Sequence, residues 1–83
     1  MLTLLYFARL REALGCAEEQ IPLPEGVSTL EQLRHWLSQR DKNWQQTLMG
    51  PGVFIAINQE VSPLETTLTG DEEVAFFPPV TGG

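Results

Sequence analysis

The sequence predicts an α+β domain, a mixed sheet packed on one main helix. Two strongly apolar, strand-like runs lie near the two ends, "LTLLYFA" at 2–8 and "EVAFF" at 73–77. Between them one segment, 26–41, carries clear helical periodicity, while the other apolar runs are short and bounded by Gly, Pro or Asn. Such an order buries a helix stripe against one face of a sheet. With 83 residues the chain makes one small domain and leaves little room for an enclosed catalytic pocket. The reading is a folded unit over 1–77 followed by an extended Gly-Gly tail over 78–83.

Taken in order, 2–8 alternates, placing Leu2, Leu4 and Tyr6 on one face and Thr3, Leu5 and Phe7 on the other. "RLREALG" reads as a short helical turn closed by Gly15 as C-cap. "QIPLP" at 20–24 reads as a brief second strand, and Pro22 within it assigns it to a sheet edge. In 26–41, Ser28 and Glu31 have the spacing of a capping box. Leu30, Leu33 and Leu37 then form one stripe with Trp36 at its margin, a pattern of core packing. "NWQQTLM" at 43–49 reads as a further helical turn, ended by "GPG" at 50–52. "VFIAIN" at 53–58 is a strand, "NQ" turns the chain, and "EVS" at 60–62 returns as a hairpin arm. "LTGDEE" turns into the last strand.

Parallel pairing of the first and last strands at the middle of the sheet accounts for the apolar character of both. That arrangement is the β-grasp, or ubiquitin-like, roll. It leaves one sheet face uncovered. Phe7, Phe54 and Phe77, with Val61 nearby, fall on that face, and a patch of large apolar groups marks a protein interface. The competing reading folds segments 43–52 and 62–70 over them; the interface is preferred.

Five basic against eleven acidic residues give a net charge of −6, which excludes the basic footprint that nucleic acid requires. An acidic surface suits a basic protein partner, and equally keeps a small protein soluble. No apolar run has the roughly 20 residues of a membrane span, and the N-terminus lacks the basic start and cleavage site of a signal peptide. A cytoplasmic protein is expected. Cys16 is the sole cysteine, so neither an internal disulfide nor a cysteine-based zinc site is expected. Glutamates at 18 and 19 disfavour its thiolate. His35 stands alone in the helix without the partners of a triad. No metal site and no bound cofactor are expected.

The chain closes on "EVAFFPPVTGG". Pro78 and Pro79 cannot donate to a ladder, so pairing must stop at Phe77. Val80 and Thr81 continue outward, and Gly82 and Gly83 offer backbone without Cβ, able to enter a narrow channel. Fully extended, 78–83 spans on the order of 20 Å. A terminal carboxylate becomes an acyl donor only once its oxygen can leave. Adenylation achieves this, and the adenylate then accepts an amine, a thiol or sulfide. A Gly-Gly end minimises obstruction at the carbonyl and suits a group processed in another protein's site.

"FARLREALG" (7–15), "AINQE" (56–60) and above all "EVAFFPPVTGG" (73–83) resemble the small subunits of molybdopterin synthase, a family of ubiquitin-like sulfur carriers. The resemblance spans the chain. It implies that Gly83 is adenylated by an ATP-dependent activating enzyme and converted to a thiocarboxylate by a sulfur-transfer system. It further implies insertion of the tail, Pro78 to Gly82, into the large catalytic subunit. There sulfur passes to cyclic pyranopterin monophosphate, in a heterotetramer with two copies of each subunit. Phe7, Val61 and Phe77 match the family's contact surface. The catalytic groups would belong to the large subunit, so that this chain is a cosubstrate rather than the catalyst. One departure is "TGDEEV" where the family often has D-G-D-E-V, placing Gly70 one position earlier. Three alternatives stand beside this reading. They are a sulfur carrier for thiazole synthesis, a ubiquitin-like modifier joined to lysine, and an interaction module with an inert tail.

Overall fold

In the computed structural model, which describes residues 1–79, the first and last strands lie side by side in parallel. Strand β1 (Leu2–Tyr6) pairs with β5 (Glu73–Phe77) from Thr3↔Glu73 to Tyr6↔Phe76. The chain runs β1, α1 (Arg9–Leu14), β2 (Glu18–Ile21), α2 (Leu30–Ser38), α3 (Lys42–Met49), β3 (Phe54–Ile57), β4 (Glu60–Val61), β5. The strands form one sheet in the order β2-β1-β5-β3-β4. Every neighbour pair other than β1–β5 is antiparallel. This is the expected β-grasp roll.

Alternation fixes which face is buried. Leu2, Leu4, Tyr6, Val74 and Phe76 are fully buried or nearly so. They meet Leu30, Leu33 and Leu37 of α2 in one apolar core that also takes in Leu10, Leu14, Trp44 and Leu48. The helical layer is broader than a single main helix. Segment 43–49 is not one turn but α3, packed on both α2 and α1. Asp41 caps it, its carboxylate accepting from the Trp44 N–H at 2.9 Å. That second cap explains why α2 stops at Ser38 instead of running on to 41.

Other boundaries moved for identifiable reasons. The capping box of α2 is Thr29 with Gln32, not Ser28 with Glu31. Thr29 is held extended (φ −121°, ψ 163°) by a bridge to Thr67, and the Glu31 N–H is taken by the Leu64 carbonyl. Gln32 Oε1 accepts from the Thr29 N–H at 3.1 Å and the Ser28 N–H at 2.7 Å. The second strand spans Glu18–Ile21 and lies at the sheet edge, with Pro22 just past its end rather than inside it. Asn58 (φ 50°) and Gln59 (φ 71°) form the expected two-residue turn between β3 and β4. Among the described residues no helix is long and apolar enough to cross a membrane.

A polar network links sheet and helices. Arg40 grips Glu19 through two bonds of 2.8 and 2.9 Å, and the Tyr6 hydroxyl donates to the same carboxylate at 2.9 Å. The Arg40 guanidinium lies 4.5 Å from the Trp44 ring centroid, and Tyr6 packs between Trp44 and Phe76 at 5.4 Å from each. Burial tends to raise the Glu19 pKa, but the bonds from Arg40 and Tyr6 outweigh it and hold the carboxyl below its ordinary value. Burial and the bond to Glu19 push the Tyr6 phenol far above its usual range.

The turn into β5 is fastened by Glu72. Its carboxylate accepts from the backbone N–H groups of Thr69, Gly70 and Asp71 at 2.7, 2.9 and 3.2 Å, and from the Thr69 hydroxyl at 3.0 Å. Gly70 supplies a φ of 115° that side chains rarely adopt. The early glycine of "TGDEEV" is therefore what folds the loop around this carboxylate.

Two predictions follow from this geometry. Burial raises the Glu72 pKa, and the backbone and Thr69 bonds more than reverse that, bringing it from 4.5 to about 2. The stabilisation is complete above about 4.5 and lost as pH falls toward about 2. Glu72→Gln should cost on the order of 2 kcal/mol at neutral pH. The gap to wild type should close in that acid window, as read by urea denaturation; a pH-independent gap would contradict the assignment. Ala8, between β1 and α1, has φ 54° and ψ −130°, a conformation that strains a residue with a Cβ. Ala8→Gly should therefore raise stability by roughly 1 kcal/mol, against the usual sign of that substitution; a loss in the same denaturation experiment would show the backbone to be unstrained.

Candidate functional site

The uncovered face of the sheet is ordered in rows by the strand register. Tyr6↔Phe76 in β1–β5 brings Phe7 beside Phe77, and Phe54↔Phe77 in β3–β5 adds Phe54. These phenylalanines form a row at the end of the sheet where β5 finishes. Phe7 and Phe54 are 47% and 45% exposed, and Phe54 stacks on Phe77 with centroids 6.0 Å apart. The next row runs Glu18, Leu5, Ala75, Ala56, Val61. Ala75 and Ala56 are small enough to lie below their neighbours, whereas Val61 is 65% exposed. A third row, Gln20, Thr3 and Glu73, is polar. The face thus grades from aromatic at one pole to polar at the other. Neither segment 43–52 nor 62–70 covers the phenylalanines.

At the aromatic pole the strand ends. β5 stops at Phe77, Pro78 is half-buried and Pro79 exposed, as the missing proline donors require. Pro79 passes over Gly52. The position a Cβ would take on Gly52 lies 3.7 Å from Pro79 Cδ and 3.7 Å from Arg9 Nη2. Gly52 has φ 78°, so glycine is what lets the "GPG" loop turn there beneath the proline. Val80, Thr81, Gly82 and Gly83 lie outside the described residues.

The structure brings together Phe7, Phe77, Pro78 and Pro79, with Val61 further along the same face. Sequence reasoning did not find Arg9 or Gly52, read only as part of a helical turn and of a chain breaker. Nor did it find the Ala75–Ala56 depression. The cross-strand register reveals the depression, and the approach of Pro79 and Arg9 to Gly52 reveals the other two.

The other chemically suggestive residues lie elsewhere. Cys16 is half-buried, its Sγ 3.7 Å from the Glu18 carbonyl and 4.0 Å from a Glu19 carboxylate oxygen. Burial and the Glu19 charge both push its thiol pKa up, away from a nucleophile. His35 is exposed, and a ring nitrogen lies 3.5 Å from the Gln39 side-chain nitrogen. Among the described residues no group of three or more His, Cys, Asp or Glu side chains could hold a metal ion. A hollow of about 510 Å³ is an open groove on the helical side between Val27, Arg34, Trp36 and Met49. It shares no residue with the phenylalanine row or with Arg9, Gly52 and Pro79.

Comparison with known proteins bears on this arrangement. Residues 4–83 match the model of the ThiS family. A molybdopterin synthase sulfur carrier subunit from Haemophilus influenzae is 41% identical over 83 residues, covering 100% of both chains. A protein of the same description from Escherichia coli is 35% identical over 83 residues, again covering 100% of both. Among solved structures, SAMP1 from Haloferax volcanii superposes with a TM-score of 0.81 at 23% identity, over 99% of this chain and 98% of that one. That last likeness concerns the fold. Aligned along its length with these relatives and sharing their roll, the chain belongs to the ThiS family.

Proposed function

We infer that this chain is the sulfur-carrying small subunit of a molybdopterin synthase, acting in molybdenum cofactor biosynthesis. The observation that carries the reading is the placement of the last strand. β5 lies inside the sheet and ends beside Phe7 and Phe54, so the segment after it starts from the most apolar part of the open face. The full-length likeness to two sulfur carrier subunits supports the same conclusion.

In this function Gly83 carries the reacting group. An activating enzyme joins its carboxylate to the AMP portion of ATP, releasing pyrophosphate. Sulfide-level sulfur supplied by a transfer system then attacks the acyl-adenylate carbonyl, the C–O bond to AMP breaks, AMP leaves, and a thiocarboxylate remains. Residues 78–83 act as the tail. Pro78 and Pro79 direct it away from the ladder, Pro78 to Thr81 line the insertion into the large subunit, and Gly82 keeps that channel clear. The thiocarboxylate gives up its sulfur to cyclic pyranopterin monophosphate. A dithiolene needs two sulfurs, so a spent carrier is exchanged or recharged between transfers. The large subunit supplies the acid–base groups, and the complex is a heterotetramer with two copies of each chain. Phe7, Phe77 and Val61 form the contact surface on this chain, over which apolar burial drives docking. ATP is consumed by the activating enzyme and is not bound here.

Incubation with the host's activating enzyme, ATP and a sulfur source should replace one oxygen by sulfur, adding about 16 Da, a shift that oxidation of Met or Cys16 would mimic. Fragment mapping by mass spectrometry should therefore place the shift on Gly83, and deletion of Gly83 should abolish it. An unmodified Gly83 with a competent activating enzyme would refute the reading. Phe7→Ala and Phe77→Ala should each weaken binding to the large subunit by about 2 kcal/mol, with unfolding still cooperative. Unchanged affinity of both variants in titration calorimetry would remove the phenylalanine row from the interface.

A further inference from the structure

We propose that Arg9 is a docking charge at the root of the tail, pairing with a carboxylate on the rim of the large-subunit channel that receives it. The proposal rests on the function inferred above and adds a partner chemistry to it.

The position of Arg9 is set by the backbone. β1 ends beside the phenylalanine row, Ala8 turns the chain with a strained φ of 54°, and α1 begins at once with Arg9. A Cβ placed on Gly52 would lie 3.7 Å from Arg9 Nη2 and 3.7 Å from Pro79 Cδ, so the guanidinium and the proline flank the same point of the loop. The cation therefore stands beside the place where the chain leaves the fold.

Among the described residues Arg9, Arg11, Arg34 and Lys42 form no ion pair, whereas Arg40 is engaged by Glu19 and the N-terminal ammonium by Asp71. Of those four, Arg9 is the one at the Gly52 position over which Pro79 passes. In a chain of net charge −6, a cation at the root of the tail runs against the average field. Docking over the adjacent Phe7 and Phe77 would strip water from it, and a desolvated charge is tolerated only with a counter-charge from the partner.

Reach decides the kind of anion. Four residues follow Pro79, and fully extended they span roughly 13 Å. Nucleotide phosphates meet the chain at its terminal carboxyl, that distance beyond Arg9. The group facing Arg9 belongs instead to the channel mouth, where an aspartate or glutamate of the large subunit answers a guanidinium with two parallel bonds.

The test is binding of the host's large subunit by surface plasmon resonance, at about 50 mM and about 500 mM salt, where screening differs most. Wild type is compared with Arg9→Glu, Arg9→Gln, Arg9→Lys and Lys42→Glu. The last makes the same charge change on α3, and thermal unfolding checks every variant. Arg9→Glu should bind about tenfold or more weakly at low salt, with the gap narrowing at high salt. Arg9→Gln should fall between, Arg9→Lys should recover most of the loss, and Lys42→Glu should stay near wild type. Equal losses in Arg9→Glu and Lys42→Glu would reduce the effect to net charge and overturn the proposal. So would an Arg9→Glu affinity within about twofold of wild type. Failure of the wild-type chain to bind the large subunit would overturn the functional reading, and this inference with it. Wild-type binding that is indifferent to Arg9 overturns the inference alone.

Discussion

The parallel register of β1 against β5 is the constraint from which the rest of the molecule follows. It sets Leu4 beside Val74 and Tyr6 beside Phe76, so the sheet's share of the fully buried core comes from the two ends of the sequence. A parallel pair cannot be joined by a tight turn. Everything between the two strands must therefore serve as one long crossover, and the helices it contains cover one face of the sheet. The same register lays Phe7 next to Phe77 on the other face. Core and open aromatic face are thus two sides of one set of backbone hydrogen bonds.

Glu19, Arg40 and Tyr6 couple that sheet to its helical cover. An arginine stacked on Trp44 and forked onto a carboxylate of β2 joins the edge strand to the α2–α3 junction. The Tyr6 hydroxyl, the one polar atom at the end of an otherwise apolar β1 face, finds its acceptor in the same carboxylate. A buried phenol without a partner would be costly. The network also explains why Cys16, next to Glu19, behaves as a packing residue.

Much of this was legible in the sequence, and the exceptions have physical causes. Alternation in 2–8 and 73–77 is dictated by strand geometry, so the buried set Leu2, Leu4, Tyr6, Val74 and Phe76 could be read directly. "STLEQ" contains two overlapping capping frames, Ser28 with Glu31 and Thr29 with Gln32. Local rules accept both, and the bridge to Thr67, far along the chain, selects the second. Helix α3 turns inward chiefly through Trp44 and Leu48, too narrow a stripe to announce a full helix. In the candidate site, aromatic residues ahead of a Pro-Pro break carry their own signal. Arg9 carries none, because its meaning lies in the proximity of Gly52 and Pro79, a tertiary fact.

The parallel pairing also fixes how the domain bears load. The N-terminus lies at the pole where Met1 meets Asp71, and the chain leaves the sheet at the opposite pole. Tension applied to the segment after Phe77, with the domain held by its N-terminal pole, slides β5 along β1 instead of peeling it away. The ladder bonds, from Thr3 N–H to the Glu72 carbonyl through Phe7 N–H to the Phe76 carbonyl, each 3.0 Å, are then strained together in shear. A strand held on both sides, by β1 and by β3, yields only when both ladders fail at once. The fold is a mechanical anchor for whatever is drawn out along its tail.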